Sequence, residues 1–148
     1  MKRLVLKFGG TSVGSIEKIN KVAKIIKKRH AEGSQVIAVV SAMSGVTNDL
    51  IKKSKYISKN FDHKELDVLL SSGEQISCAL LSGAILELGL KCRSWMGWQI
   101  PILTNNKYSS SQIINIETKE IINFISKKGI AVLAGFQGIS QENRITTL

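Results

Sequence analysis

The stretch RLVLKFGGTSVGS, residues 3–15, decides the fold of this chain. Residues 3–8 form an apolar run that predicts a buried β-strand, and the glycines that follow predict a turn. Ser15 is a suitable N-cap for a helix, because apolar residues recur after it every three or four positions and stop before Gly33. A strand, a glycine-rich turn and a helix are the beginning of a βαβ unit.

The rest of the chain continues this alternation. Residues 35–40, QVIAVV, are short, apolar and β-branched, which is typical of a strand buried on both faces of a parallel sheet. Similar patterns predict helices over about 47–59, 63–88 with a bend near Gly73, and 118–128, and strands over 91–95 and 130–136. The segment after Pro101 gives no clear pattern. Alternating strands and helices indicate an α/β fold with a mainly parallel sheet.

Length and cysteine usage restrict the class of protein. The chain has 148 residues, of which 43% are hydrophobic, which suits one globular domain. Cys78 and Cys92 lack CxxC spacing and the two histidines are isolated, which argues against a disulfide scaffold or a zinc site. We find no signal peptide and no run of about 20 apolar residues. We therefore expect a cytoplasmic protein with inert buried thiols, no metal site and no membrane partner.

The net charge of +10 raises the question of nucleic-acid binding. In the predicted first helix, however, the lysines alternate with isoleucines and valines that would turn inward, and no RNA-binding signature is present. A solvated basic face explains the charge better than a polyanion site does. We expect no nucleic-acid partner.

The glycine turn at residues 9–14 has two interpretations. It lacks the Lys and Ser or Thr that a P-loop needs after its last glycine, and Thr11 stands where the dinucleotide fingerprint needs a glycine. Consecutive glycines between a strand end and a helix start still allow a phosphate to approach backbone amides. A simple tight turn accounts for the same pattern.

Two further stretches combine small or polar residues with a predicted strand end or helix. SAMSGVT, residues 41–47, follows the second strand, where open α/β sheets bind ligands, although Thr47 could serve only as an N-cap. Glu74 in SSGEQIS faces apolar and small residues on a helix, and a buried carboxylate needs a partner. That partner could be a ligand ammonium, a protein lysine, or free backbone amides at a helix break near Gly73.

The remaining candidates have structural explanations of equal or greater weight. GFQG, residues 135–138, follows the last predicted strand and could be a βα or a ββ turn. Trp95 and Trp98 fit packing in the core or at a domain edge better than a ligand platform.

Four motifs taken together closely resemble the aspartate kinases of the amino-acid kinase family: KFGGTSV at 7–13, VVSAMSGVTNDL at 39–50, SSGEQIS at 71–77 and AGFQGI at 134–139. They occur in the family's order and span nearly the whole chain. The resemblance implies a three-layer αβα sandwich, the fold that carbamate kinase also has. It implies transfer of the γ-phosphoryl group of MgATP to the side-chain carboxylate of L-aspartate, with ATP and Mg²⁺ as co-substrate and metal.

The resemblance also implies roles for residues at matching positions. Lys7 would neutralise charge on the transferring phosphoryl group, and Phe8, Gly9, Gly10 and Ser41 would lie on the side of the nucleotide phosphates. Thr47 and Glu74 would hold aspartate, with Glu74 facing its ammonium group. No catalytic base is needed, because a carboxylate nucleophile is already ionised near neutral pH.

The sequence departs from the family at its end, ENRITTL at 142–148. Aspartate kinases continue from here into a glycine-rich Arg, Ser and Asp stretch and the nucleotide half of the sheet. We therefore expect residues 1–148 to be the N-terminal, aspartate- and phosphate-binding part of an incomplete kinase domain, without a regulatory ACT domain and inactive alone. A half sheet predicts an unpaired apolar edge that favours a complementing C-terminal half or a homo-oligomer. The alternative is a non-catalytic remnant or a binding subunit of a split aspartate kinase.

Overall fold

A computed structural model describes residues 2–148 of the chain. Its helices and strands lie within two residues of the predicted ones wherever a prediction was made. In chain order the elements are β1 (Arg3–Phe8), α1 (Ile16–Ala31), β2 (Gln35–Val40), α2 (Val46–Ile57), α3 (His63–Glu87), β3 (Cys92–Trp95), β4 (Ile102–Thr104), β5 (Ile113–Ile116), α4 (Lys119–Ser126), β6 (Ile130–Ala134), β7 (Gln137–Ser140) and β8 (Ile145–Thr147).

The first sheet contains four parallel strands in the order β1-β2-β6-β3. Parallel neighbours require crossover connections, and α1 supplies the one between β1 and β2. Its start is fixed by Ser15, whose Oγ accepts a hydrogen bond from the Lys18 amide at 3.2 Å. The predicted α/β fold with a parallel sheet is confirmed.

Helices cover both faces of this sheet. On β6, Ile130, Val132 and Ala134 pack into a core with α1 and α3, whereas Ala131 and Leu133 belong to a second core with α4. Successive strand residues point to opposite faces, so one short strand serves both cores. The three-layer αβα arrangement is therefore confirmed.

The basic residues of α1 lie on its solvent side. Ile19, Val22, Ala23 and Ile26 are buried, while the lysines between them are exposed: Lys18, Lys21, Lys24, Lys27 and Lys28. The expected solvated basic face is confirmed for this helix.

The prediction of a buried first strand is wrong. Among residues 2–148 β1 pairs only with β2, and its side chains alternate between half-buried and exposed, with Val5 65% exposed. A short apolar run reports hydrophobicity and does not report how many strands lie beside it. On β2, by contrast, buried residues alternate with half-buried ones.

A second sheet, β5-β4-β7-β8, was not predicted. Its strands have only three or four residues, which is too short for an alternating pattern to become visible. The GFQG segment joins β6 of the first sheet to β7 of the second, so the ββ alternative is the correct one.

Helix α3 runs without interruption through Gly73 and is followed by Gly89 at φ +78°. A Cβ atom on Gly73 would lie 2.9 Å from Cβ of Ala42, so the glycine lets the loop after β2 approach the helix closely. By length and composition alone α3 could cross a membrane, contrary to the expectation above. Half of its most apolar stretch is buried inside the fold, as in a core helix.

Candidate active site

A cleft of about 570 Å³ opens at the carboxyl ends of β1, β2 and β6. The turns after these three strands meet there, as expected for parallel neighbours. All four sequence motifs contribute to the lining, which consists of Lys7, Gly10, Val39, Ser41, Ala42, Met43, Ser44, Gly45, Thr47, Asn48, Glu74, Gly135, Phe136 and Leu148.

Five of the seven predicted site residues line this one cleft. They are Lys7, Gly10, Ser41, Thr47 and Glu74. Phe8 and Gly9 are not lining residues. Phe8 packs against the core formed with α1 and α3, and its carbonyl accepts a hydrogen bond from the Ser41 amide at 3.1 Å. The two turns are thus tied together directly beneath the cleft.

The turn after β1 comes unusually close to the loop after β2. A Cβ atom on Gly10 would lie 2.8 Å from the carbonyl oxygen of Ala42. The turn is closed by the amides of Ser12 and Val13, which donate to the carbonyl of Gly9 at 2.9 and 3.3 Å. Lys18 Nζ donates a hydrogen bond to the carbonyl of Thr11 at 2.9 Å, which links the turn to α1.

Replacing Gly10 by alanine is expected to destabilise the fold by about 1–3 kcal/mol, because backbone must move to admit the methyl group. The matched control is Gly9→Ala, where an added Cβ meets no atom within 4 Å. Urea denaturation of both variants measures the difference. Equal stability of the two would contradict the close approach.

Glu74 is the most unusual polar residue in the cleft. It is 3% exposed, and its Oε1 accepts a hydrogen bond from the Ala42 amide at 3.0 Å. Its Oε2 is buried and has no partner among residues 2–148. Burial raises the pKa of Glu74 above its ordinary value, and the Ala42 hydrogen bond opposes this only in part.

This geometry decides between the partners considered for Glu74. The protein partner is a backbone amide, but it belongs to the loop after β2 and not to a helix break at Gly73, since α3 is unbroken. No lysine contacts Glu74 in the described part of the chain. The free Oε2 leaves one position where a ligand cation would be stabilised.

Thr47 is not the N-cap of α2. Gly45 occupies that position at φ +85°, without any side-chain cap, and Thr47 lies in the first turn of the helix. A structural role as cap therefore no longer accounts for Thr47, which is one of the residues that line the cleft.

Phe136 was missed as a site residue, although its motif was noted. It lies in the cleft, is 37% exposed and has φ +62°, which is rare for a bulky residue. Only the occurrence of a large side chain between two glycines, in GFQG, could have pointed to it. Backbone strain of this kind is common beside ligand sites.

The cysteines and Trp95 lie away from the cleft. Burial raises the pKa of both Cys78 and Cys92 to about 11, which disfavours the reactive thiolate, although only Cys78 is fully buried and Cys92 is half-buried. Trp95 is 3% exposed and packs edge-on against Phe124, which confirms its role in the core. Within residues 2–148 no three His, Cys, Asp or Glu residues are grouped to hold a metal ion.

Comparison with known proteins gives concordant results. The model of the amino acid kinase family matches residues 2–147. The chain is 45% identical to the aspartokinase of Rickettsia prowazekii over 151 aligned residues, covering 100% of this chain and 34% of the relative. It thus spans about a third of that relative's length.

Solved structures share the fold. The aspartate kinase from Synechocystis superposes with a TM-score of 0.82 at 38% identity, covering 100% of this chain and 24% of that one. Aspartokinase III of E. coli, in complex with aspartate and ADP, gives 0.81 at 19% identity, covering 100% and 43%. The arrangement of the sheet, its glycine turn and the match over residues 2–147 lead to one assignment. The chain belongs to the amino acid kinase family.

Proposed function

We propose that the chain forms the aspartate- and phosphate-binding part of an aspartate kinase. The enzyme transfers the γ-phosphoryl group of ATP to the side-chain carboxylate of L-aspartate and yields 4-phospho-L-aspartate. One observation carries the proposal: Lys7 and the unpartnered carboxylate oxygen of Glu74 line the same cleft. The 45% identity to an aspartokinase over the whole chain supports it.

The cleft offers complementary groups for the two substrates. Glu74 Oε2 would pair with the ammonium group of aspartate, and Thr47 would donate or accept a hydrogen bond beside it. Lys7 and the backbone around Gly10 would face the transferring phosphoryl group, close to Ser41. A side-chain carboxylate oxygen of aspartate then attacks the γ-phosphorus, and the bond to the β-phosphate oxygen breaks to release ADP. Such a reaction depends mainly on positioning and charge neutralisation.

Mg²⁺ would be bound mainly through the phosphates of ATP. The described residues bring no three His, Cys, Asp or Glu side chains together, so none of them is assigned as a metal ligand. We therefore assign no step of the mechanism to a metal bound by residues 2–148.

The reaction is the first step of the aspartate-family pathway to lysine or diaminopimelate, threonine and methionine. We place it in the cytoplasm, where the ATP-dependent synthesis of amino acids occurs. Two free cysteines, Cys78 and Cys92, are compatible with that reducing compartment.

Within residues 2–148 one edge of β1 has no neighbouring strand, which supports a complementing polypeptide as partner. A groove of about 300 Å³ beside it is lined almost entirely by apolar side chains from β1, β2, β4, β5, α4 and β6, among them Val5, Ile37 and Ile116. The relatives are about three times as long, so further chain of the same family is available to pair with this edge. A second copy of the chain is the alternative partner.

An aspartyl-hydroxamate assay with ATP tests the proposal. We expect no turnover from the 148 residues alone, and turnover after co-expression with the part of the R. prowazekii aspartokinase that lies outside the match. A chain that binds aspartate but is never activated by complementation would favour the second candidate, a non-catalytic remnant or binding subunit. Absence of both binding and activation would contradict the proposed function.

A further inference from the structure

Asp67 is a fully buried carboxylate that the sequence analysis did not single out. It lies on α3 about two helical turns before Glu74. The amide of Ser109 donates to both its oxygens at 3.0 Å, the amide of Thr147 donates to Oδ2 at 2.9 Å, and the hydroxyl of Thr147 donates to Oδ1 at 2.6 Å. Asp67 therefore joins α3 to β8 and to the loop before β5.

The far end of β8 reaches the candidate active site. Thr147 is followed by Leu148, whose amide donates to the carbonyl of Phe136 at 3.1 Å. Leu148 and Phe136 line the cleft together with Glu74. The side of the cleft formed by Phe136 and Leu148, here called the β8 wall, is thus tied to the same helix that carries Glu74.

A second contact ties β7, the strand beside β8, to α3 at a position between Asp67 and Glu74. Gln137 is 1% exposed, and its Nε2 donates to the carbonyl of Ser71 at 3.1 Å. Asp67, Ser71 and Glu74 are spaced for one face of the helix. This face acts as a common support for Glu74 and for the β8 wall.

We propose that Asp67 is a positioning residue of the candidate active site, which fixes the β8 wall relative to Glu74 through Thr147. The part concerning aspartate rests on the proposed function. The part concerning the position of the wall does not, because it holds for the ligand-free protein.

Two neighbouring threonines provide a matched pair of variants. Thr146 and Thr147 both lie on β8 and both are fully buried. Thr147→Val removes a hydroxyl that contacts Asp67, whereas Thr146→Val removes one that pairs with Thr104 Oγ1 at 2.7 Å. Each variant loses one buried hydrogen bond, but only Thr147→Val removes a contact between β8 and α3. Thr147→Ser retains the hydroxyl and should behave as wild type.

Amide hydrogen exchange of the ligand-free 148-residue chain tests the position of the wall. We expect Thr147→Val to accelerate exchange at Leu148 by about tenfold relative to Val132 in the central strand β6, which reports global opening. Thr146→Val should leave that ratio within about twofold. If Leu148 and Val132 lose protection together in Thr147→Val, Asp67 serves stability alone and the proposal is overturned. Should Thr147→Val not fold, Asp67→Asn is measured in the same way.

Titration with L-aspartate, followed by NMR, tests the consequence for binding. Misplacement of the wall is expected to weaken binding by about tenfold in Thr147→Val, with Thr146→Val within about twofold of wild type. Equal weakening by both variants contradicts positioning through Asp67. If the wild-type chain does not bind aspartate, the aspartate-binding part of the proposed function is what fails, and the exchange result still decides the role of Asp67.

Discussion

Replacing Glu74 by glutamine is expected to weaken the binding of L-aspartate by about 100-fold or more, while making the ligand-free protein more stable. The loss follows because Oε2 has no partner in the described chain and is the group that would pair with a ligand ammonium. Removing one member of a buried charge pair costs about 2–5 kcal/mol. Glutamine has nearly the same shape and retains an oxygen for the Ala42 amide, which donates at 3.0 Å.

The gain in stability follows from the raised pKa of Glu74. Burial raises this pKa above 4.5 in the folded protein, so between 4.5 and the folded pKa the native state holds a proton that the unfolded state has lost. The contribution of Glu74 to folding is therefore present below pH 4.5 and is lost as pH rises through the folded pKa. At neutral pH, Glu74→Gln should exceed wild type by up to about 1 kcal/mol, as functional groups often cost stability.

Calorimetric titration with L-aspartate and urea denaturation across pH measure the two effects. Glu87→Gln is the control, since Glu87 is an exposed glutamate on the same helix. The stability difference between Glu74→Gln and wild type should shrink as pH falls towards 4.5. Unchanged aspartate affinity in Glu74→Gln would remove the ammonium site from the proposal.

The parts of the fold that could be predicted from sequence are those with local signals. Ser15 and Gly89 mark helix ends through their own hydrogen bonding and backbone conformation, and QVIAVV marks β2 through its composition. The position of residues 41–47 at the cleft followed from the strand-end rule for parallel sheets, whereas the place of Lys7 there was implied by the family resemblance.

The parts that could not be predicted depend on contacts between distant segments. Glu74 could be recognised as a buried acid, but its partner lies 32 positions away on the Ala42 amide, outside the reach of helical periodicity. The exposure of Val5 depends on how many strands flank β1, which an apolar run does not encode. Asp67 was overlooked because its donors come from Ser109 and Thr147, in strands and loops too short to predict.

Replacing Lys7 by alanine is expected to lower phosphoryl transfer in the complemented enzyme by about 1,000-fold and to leave aspartate affinity nearly unchanged. Lys7 is exposed near the end of β1 and lines the cleft, and its side chain makes no hydrogen bond or ion pair within residues 2–148, so loss of that side chain should not disturb folding. Charge that stabilises a transferring phosphoryl group acts in the transition state, where removal of one group costs about 100- to 1,000-fold or more.

The hydroxamate assay and an aspartate titration together separate Lys7 from Glu74. Lys7→Ala should lower kcat with the KM for aspartate preserved, whereas Glu74→Gln should raise that KM. Lys21→Ala is the control, because Lys21 is exposed on α1 and its ion pair with Glu17 at 2.7 Å is a surface contact. Retention of full kcat in Lys7→Ala would show that the glycine turn, and not its preceding lysine, carries the interaction with phosphate. A raised KM for aspartate in that variant would instead place Lys7 on the acceptor side of the cleft.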